Sequence, residues 1–257
     1  MIIAAFNPNG GVGKTTTAVN LAASLARTVR PVLLVDLEAD MNASISVGVS
    51  PSDPGPSIAD VLLRRRRAID VIRPVPSVPN LHILTGAPSL TEMDEHLRNV
   101  RQPERRLADV IRPLRADFES IVLDSPAGYS TLALGVPLAA NHLIVPIRAD
   151  YLALESLAHL LRWYRDRHAA RKATAALRGI LLTMVNPRRH ATREIVHIIR
   201  AHNPRGVFRT EIPEDPRAAE APSHGTPLVV GYRRTRAARA YAALATELHG
   251  RIKGPRR

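Results

Sequence analysis

Residues 7–17 read Asn-Pro-Asn-Gly-Gly-Val-Gly-Lys-Thr-Thr-Thr, a glycine-rich turn that runs straight into an ammonium and three hydroxyls. Gly10, Gly11 and Gly13 let backbone N–H groups wrap closely around an anion. Lys14 adds a point charge at the β/γ position of a polyphosphate, and Thr15 offers a hydroxyl to Mg²⁺. Asn9, Val12 and Thr16 complete the candidate phosphate-binding segment. Two later apolar runs end in acids: Val32-Leu-Leu-Val-Asp36, followed by Glu38, and Ile121-Val-Leu-Asp124. In a sheet whose strands point the same way, carboxylates at strand ends lie near a ligand bound there. A glycine turn that only reverses the chain has no need of Lys-Thr after Gly13 or of two such acids. The set implies a bound nucleoside triphosphate.

These residues need a strand, a turn and a helix to hold them. Ile2–Phe6 is a short apolar run of the kind buried in a parallel sheet, and Ala18–Leu25 reads as a helix with Asn20 and Ser24 as its polar positions. A helix N-terminus after the turn aims further N–H groups and dipole at the anion. Strand-like runs recur at Pro31–Val35, Leu81–Leu84, Ser120–Leu123, His142–Ile147, Gly179–Met184 and Val207–Thr210, with helical stretches between them. Such alternation implies α/β architecture, a doubly wound, mostly parallel sheet flanked by helices. Residues 51–57 read as a Pro-rich surface loop and residues 68–79 as a connector. Residues 1–250 form one domain in this reading, and 251–257 a frayed basic tail. Four arginines at 64–67 follow an apolar stretch and read as the solvated end of a short helix, with a nucleic-acid contact as the alternative.

The chain has 257 residues, 45% of them hydrophobic but only 4% aromatic, so aliphatic side chains must build the core. It contains no cysteine, which excludes disulfides and thiolate metal sites. The ten histidines show no HxxxH or HExxH spacing, and no Gly-x-Ser-x-Gly accompanies Ser125 or Ser223. Formal net charge is +13, carried by arginine, since the only lysines are Lys14, Lys172 and Lys253. A balance this basic favours a polyanion such as DNA or an anionic membrane surface, with DNA preferred. No stretch of 18 apolar residues is present, so neither a transmembrane helix nor a signal peptide is expected. The C-terminal residues lack the apolar face of a membrane-binding helix. Tyr151, Trp163 and Tyr164 read as packing residues of one helix.

The general phosphate-loop pattern places glycine at position 8, where this chain has Pro8. The paired glycines instead resemble the deviant Walker A loop of the ParA/MinD ATPases, KGGxGKT, with Asn9 in place of the signature lysine. GGVGKTTTAVNLAASLA, LLVDLEADMNAS, IVLDSPAG, LIVPIRADYLALESL and EAPSHGTPL each resemble a family block, in the family's order. EAPSHG is closest to the ParA branch and Ile212-Pro-Glu-Asp215 to MinD.

The resemblance implies an enzyme that binds ATP or ADP with Mg²⁺ and hydrolyses ATP. It also implies a homodimer that closes on ATP, non-specific DNA binding and release stimulated by a ParB-like partner, in a cytoplasmic, nucleoid-associated setting without a membrane. The cargo is a chromosome or plasmid; a protein body of carboxysome type and a very slow nucleotide switch are the alternatives. Matched position by position, Lys14 and Thr15 hold phosphate and metal, Asp124 is the Walker B acid, and Asp36 is the first acid of switch I, a metal and catalytic residue. The water-orienting acid falls on Glu38, whose extra methylene shifts the carboxylate by ~1.5 Å, a scale at which about 1 Å can cost ~10²-fold. Slow intrinsic hydrolysis is expected. Met184 and Asn186, with the loop Pro213 to Asp215, would enclose adenine. Arg188 and Arg217 match DNA-contacting positions, and Arg189 and Arg233 add charge in the same half.

Overall fold

Strands buried on both faces read as continuous apolar runs rather than alternating ones, and that is how these fold. In the computed structural model, which describes residues 1–28, 31–52, 55–170 and 173–254, the strands are β1 (Ile2–Ala5), β2 (Val32–Asp36), β3 (Arg73–Pro74), β4 (Leu81–Leu84), β5 (Ser120–Asp124), β6 (His142–Arg148) and β7 (Ala176–Thr183). They form a seven-stranded sheet in the order β3-β4-β2-β5-β1-β6-β7. Every pairing is parallel except β3 against β4. Alternate residues serve opposite faces. Ile3, Ala5, Leu34 and Val122 pack under helix α1 (Lys14–Ala26) and the last helix, Arg236–Lys253. Ile2, Ala4, Leu33, Val35, Ile121 and Leu123 pack on the other side, against Ile58, Leu107 and Val136 of three further helices. The doubly wound α/β expectation holds.

Register decides where the chemistry sits. β5 lies between β1 and β2, so Ala5 is opposite Asp124 and Asp36 is opposite Asp124. The turn after β1 and the acids ending β2 and β5 therefore emerge together at the carboxyl ends of the central strands.

Three expectations are corrected. Val207–Thr210 is not a strand: Val207 makes an isolated bridge to Ile180 and the Phe208 N–H donates to Ile180 O at 2.9 Å, but the N–H groups of Arg209 and Thr210 then donate to the Glu247 carboxylate at 2.8 and 2.9 Å. A donor taken by a side chain cannot extend a ladder. Residues 68–79 are more than a connector, since they contain a short helix, Ala68–Val71, and the edge strand β3. The last helix runs to Lys253, past the division expected at 250. Arg251 donates to Arg178 O at 2.8 Å and lies 4.2 Å above the Phe208 ring, so this turn is pinned. Residues 255–257 of the expected tail and 53–54 of the expected loop lie outside the described residues. The arginines at 64–67 do follow a helix end, that of Ile58–Leu62, and are exposed.

Candidate active site

The phosphate loop is braced from below. The Asn7 amide donates to Pro146 O at 2.8 Å and accepts from Asn9 N–H at 2.9 Å. Gly13 caps α1 with φ of 84°, a left-handed conformation that favours glycine. No side chain caps this helix, so its first N–H groups stay available to an anion. The buried Thr183 hydroxyl lies 2.9 Å from Val12 O and 3.1 Å from Ile147 O, tying the loop to the ends of β6 and β7. Asn9, Gly10 and Gly11 are exposed. Lys14 is buried and donates from Nζ to Asn9 O at 2.9 Å, so the loop closes on its own cation. Burial lowers the Lys14 pKa, opposed by the charges of Glu38 and Asp124.

The three acids differ in what they are free to do. Asp36 is fully buried and already committed: it accepts from Ser44 N at 2.8 Å, Ser44 Oγ at 2.7 Å and Glu38 N at 3.1 Å. It organises the loop that carries Glu38. Burial raises the pKa of Asp36, and the Ser44 bonds pull it back. Gly86 permits this packing, because a Cβ there would meet Glu38 O at 2.4 Å. Glu38 is half-buried; burial raises its pKa and the Lys14 ammonium lowers it.

Asp124 is fully buried, and neither of its oxygens accepts a hydrogen bond within 3.5 Å among the described residues. Burial pushes its pKa well up, and the charges of Asp36 and Glu38 push it further. A hydrogen bond from the Thr15 hydroxyl and the charge of Lys14 draw it down, the Thr15 contact falling outside regular hydrogen-bond geometry. A carboxylate buried without donors is costly unless a cation satisfies it. Among the described residues no three His, Cys, Asp or Glu side chains cluster as a metal cage. One carboxylate, one hydroxyl and incoming phosphate oxygens are what Mg²⁺ uses. Asp124 and Thr15 fit that ion.

Beyond Gly13 and Thr16 opens a cleft of about 890 Å³, also lined by Met184, Asn186, Pro213 and Asp215, with Arg188 and Arg189 on the same wall. Such a volume suits a nucleotide-sized ligand. Thr183 ends β7 because Met184 takes φ of 51°. Val185 bridges to Pro213, which joins the two walls. The Asn186 amide is engaged at both ends, donating from Nδ2 to Glu214 Oε2 at 2.9 Å and accepting from Arg188 N–H at 3.1 Å. Asp215 lines the cleft, but its carboxylate caps helix Pro216–Glu220, accepting from Arg217 N at 3.0 Å and from Ala237 N at 3.4 Å. It shapes the wall and is not a free ligand group.

The arginines divide. Arg188 and Arg189 are exposed beside the cleft. Arg217 pairs with Glu220 at 2.5 Å and lies 5.4 Å from the Tyr232 ring. Arg233 lines a different cleft, of about 300 Å³, with Ala26, Arg27 and Asn80, so it does not join Arg188 and Arg189. Tyr151 is 83% exposed and packs no core. Trp163 does pack, stacking on Phe6 at 5.4 Å, and Tyr164 donates to Ala175 O at 2.6 Å. Sequence reasoning gave no individual role to Asn7, Ser44, Gly86, Thr183 or Glu214, although Glu214 lies within the loop expected to enclose adenine. Ser44 sits inside an acid-rich block and Thr183 just before Asn186, but no local pattern marks their partners.

A family model described as an AAA domain matches residues 1–174. The chromosome partitioning protein ParA of Myxococcus xanthus is 34% identical over 258 residues, covering 100% of this chain and 91% of that protein. The chromosome-partitioning ATPase Soj of Thermus thermophilus is 36% identical over 251 residues, covering 98% and 96%. Among solved structures, cobyrinic acid a,c-diamide synthase from Mycobacterium smegmatis with bound ADP and magnesium aligns with a TM-score of 0.85 at 25% identity, over 99% of this chain and 96% of that one. The cell division ATPase MinD of Pyrococcus furiosus aligns with a TM-score of 0.78 at 28% identity, over 96% and 98%. Sheet order, phosphate loop and full-length similarity agree: the chain belongs to the ParA/MinD-type P-loop ATPases.

Proposed function

We propose that this chain is a slow, ParA-like Mg²⁺-ATP hydrolase that acts in chromosome or plasmid segregation, binding DNA without sequence preference and answering to a ParB-like stimulatory protein. The observation that carries the ATPase reading is the Asp124 carboxylate, buried beside Lys14 and Thr15 without a donor in regular hydrogen-bond geometry among the described residues. When bound, Mg²⁺ would neutralise charge developing on the phosphate oxygens. Amides of residues 10–16 would hold the phosphates, with Lys14 transferring its ammonium from Asn9 O to the β/γ oxygens. Glu38, held by the Asp36 bond to its N–H, would orient the attacking water and take up its proton at a carboxylate oxygen. ATP would join two copies, with the uncharged Asn9 in the exposed part of the phosphate loop.

For DNA, the support is the net charge of +13 and the exposed pair Arg188 and Arg189 beside the nucleotide cleft. Such contacts neutralise phosphates and weaken steeply with salt. No helix among the described residues is long and apolar enough to cross a membrane. Calorimetric titration of Mg-ATP, followed by phosphate release with and without DNA, tests the reading; well-folded protein that gives no binding heat overturns it. Unchanged DNA affinity at raised salt in the double variant Arg188→Ala/Arg217→Ala would remove the DNA assignment.

A further inference from the structure

An asparagine amide reads a base only if its oxygen and nitrogen are held the right way round. Turned over, the same side chain presents a donor where it had an acceptor. In this cleft two partners from separate segments fix the amide of Asn186. The Arg188 N–H approaches Oδ1 at 3.1 Å, and the Glu214 Oε2 approaches Nδ2 at 2.9 Å. Reversal would set Oδ1 against a carboxylate and Nδ2 against an N–H, losing both bonds and replacing them with repulsions. Glu214 is itself held. Its N–H donates to Val185 O at 3.1 Å, and its carboxylate lies 3.5 Å from the Arg189 guanidinium.

After these two bonds the amide keeps one N–H and one oxygen lone pair for a ligand. A 6-amino purine presents a donor beside a ring acceptor and matches that pair. A 6-oxo purine presents an acceptor beside a ring N–H on the same edge, and it matches only the reversed amide. We propose that Glu214 is a positioning residue that locks Asn186 in the orientation accepting adenine nucleotides and rejecting guanine nucleotides. This rests on the nucleotide reading of the cleft and extends it to a residue outside the phosphate loop.

The test compares wild type, Glu214→Ala and Glu214→Gln in equilibrium binding of Mg-ATP and Mg-GTP, with KM and kcat for both. Glutamine keeps a carbonyl acceptor for Nδ2 and serves as the conservative rescue. The expected result is a fall of about tenfold in the ATP-over-GTP binding ratio for the alanine variant, the discrimination of one hydrogen-bonded position. The change should appear in KM, with kcat for ATP within about twofold of wild type as uniform binding requires, and glutamine should restore most of the ratio. A wild-type preference for ATP that survives Glu214→Ala unchanged, or a wild type that binds both nucleotides equally, overturns this inference and leaves the ATPase reading standing. Wild type that binds neither nucleotide overturns both.

Discussion

Replacing Asp124 with asparagine should stabilise the nucleotide-free protein while abolishing its response to magnesium. The side chain is fully buried, neither oxygen has a hydrogen-bond donor in regular geometry among the described residues, and the charges of Asp36 and Glu38 act against its ionisation. A buried polar group left unsatisfied costs about 1–3 kcal/mol, more when charged. Asparagine matches the volume and removes the charge. A gain of about 1–3 kcal/mol corresponds, in a protein of this size, to a Tm higher by roughly 2–12 °C. Mg-ATP should act oppositely on wild type: at a hundredfold excess over Kd, ligand adds about 2.7 kcal/mol. Differential scanning calorimetry on both proteins, with EDTA, with ATP and EDTA, and with Mg-ATP, separates these effects. The asparagine variant should start higher and gain nothing from magnesium beyond what ATP with EDTA gives. A variant that melts below wild type without ligand, or keeps the full magnesium-dependent shift, would refute the reasoning about this carboxylate.

Glu38→Asp should raise ATP turnover by up to ~10²-fold by withdrawing the carboxylate one methylene; a slower variant in a phosphate-release assay would remove Glu38 from the water-orienting role. Thr183→Val keeps the shape but strips the hydroxyl from Val12 O and Ile147 O, so urea unfolding should show a loss of about 1–3 kcal/mol and nucleotide affinity should fall with it. The His142 pKa is lowered to about 4, by burial first and then by the charge of Arg178, whose Nε donates to Nδ1 at 3.0 Å. The folded protein thus resists a proton that the unfolded chain accepts near 6.5, so stability is complete above that pH and declines as pH falls toward 4. Partial exposure holds the effect to about 1 kcal/mol, and His142→Gln, which retains an acceptor, should flatten the decline in a Tm series across that window.

The sequence by itself determined what is local. The phosphate loop could be read at residues 7–17 because its glycines, lysine and threonine are contiguous, and so are the chemical demands they meet. Six of the seven strands were legible because double burial leaves an unbroken apolar run; β3, two residues at an edge, carries no such run. The segment at 207–210 has the composition of a strand, yet Glu247 from the last helix takes the N–H groups of Arg209 and Thr210. No local pattern can announce a competitor that arrives from across the fold. Tertiary structure likewise decided which acid is free. Asp36 and Asp124 end similar strands, and only packing shows that Ser44 engages one while the other lacks a donor in regular geometry among the described residues. It also turned Asp215 into a helix cap, separated Arg233 from the other arginines, and brought Glu214 onto Asn186. Periodicity and composition fix what a segment can become. Which partners its polar groups meet depends on sheet register and on how distant elements close over the strand ends.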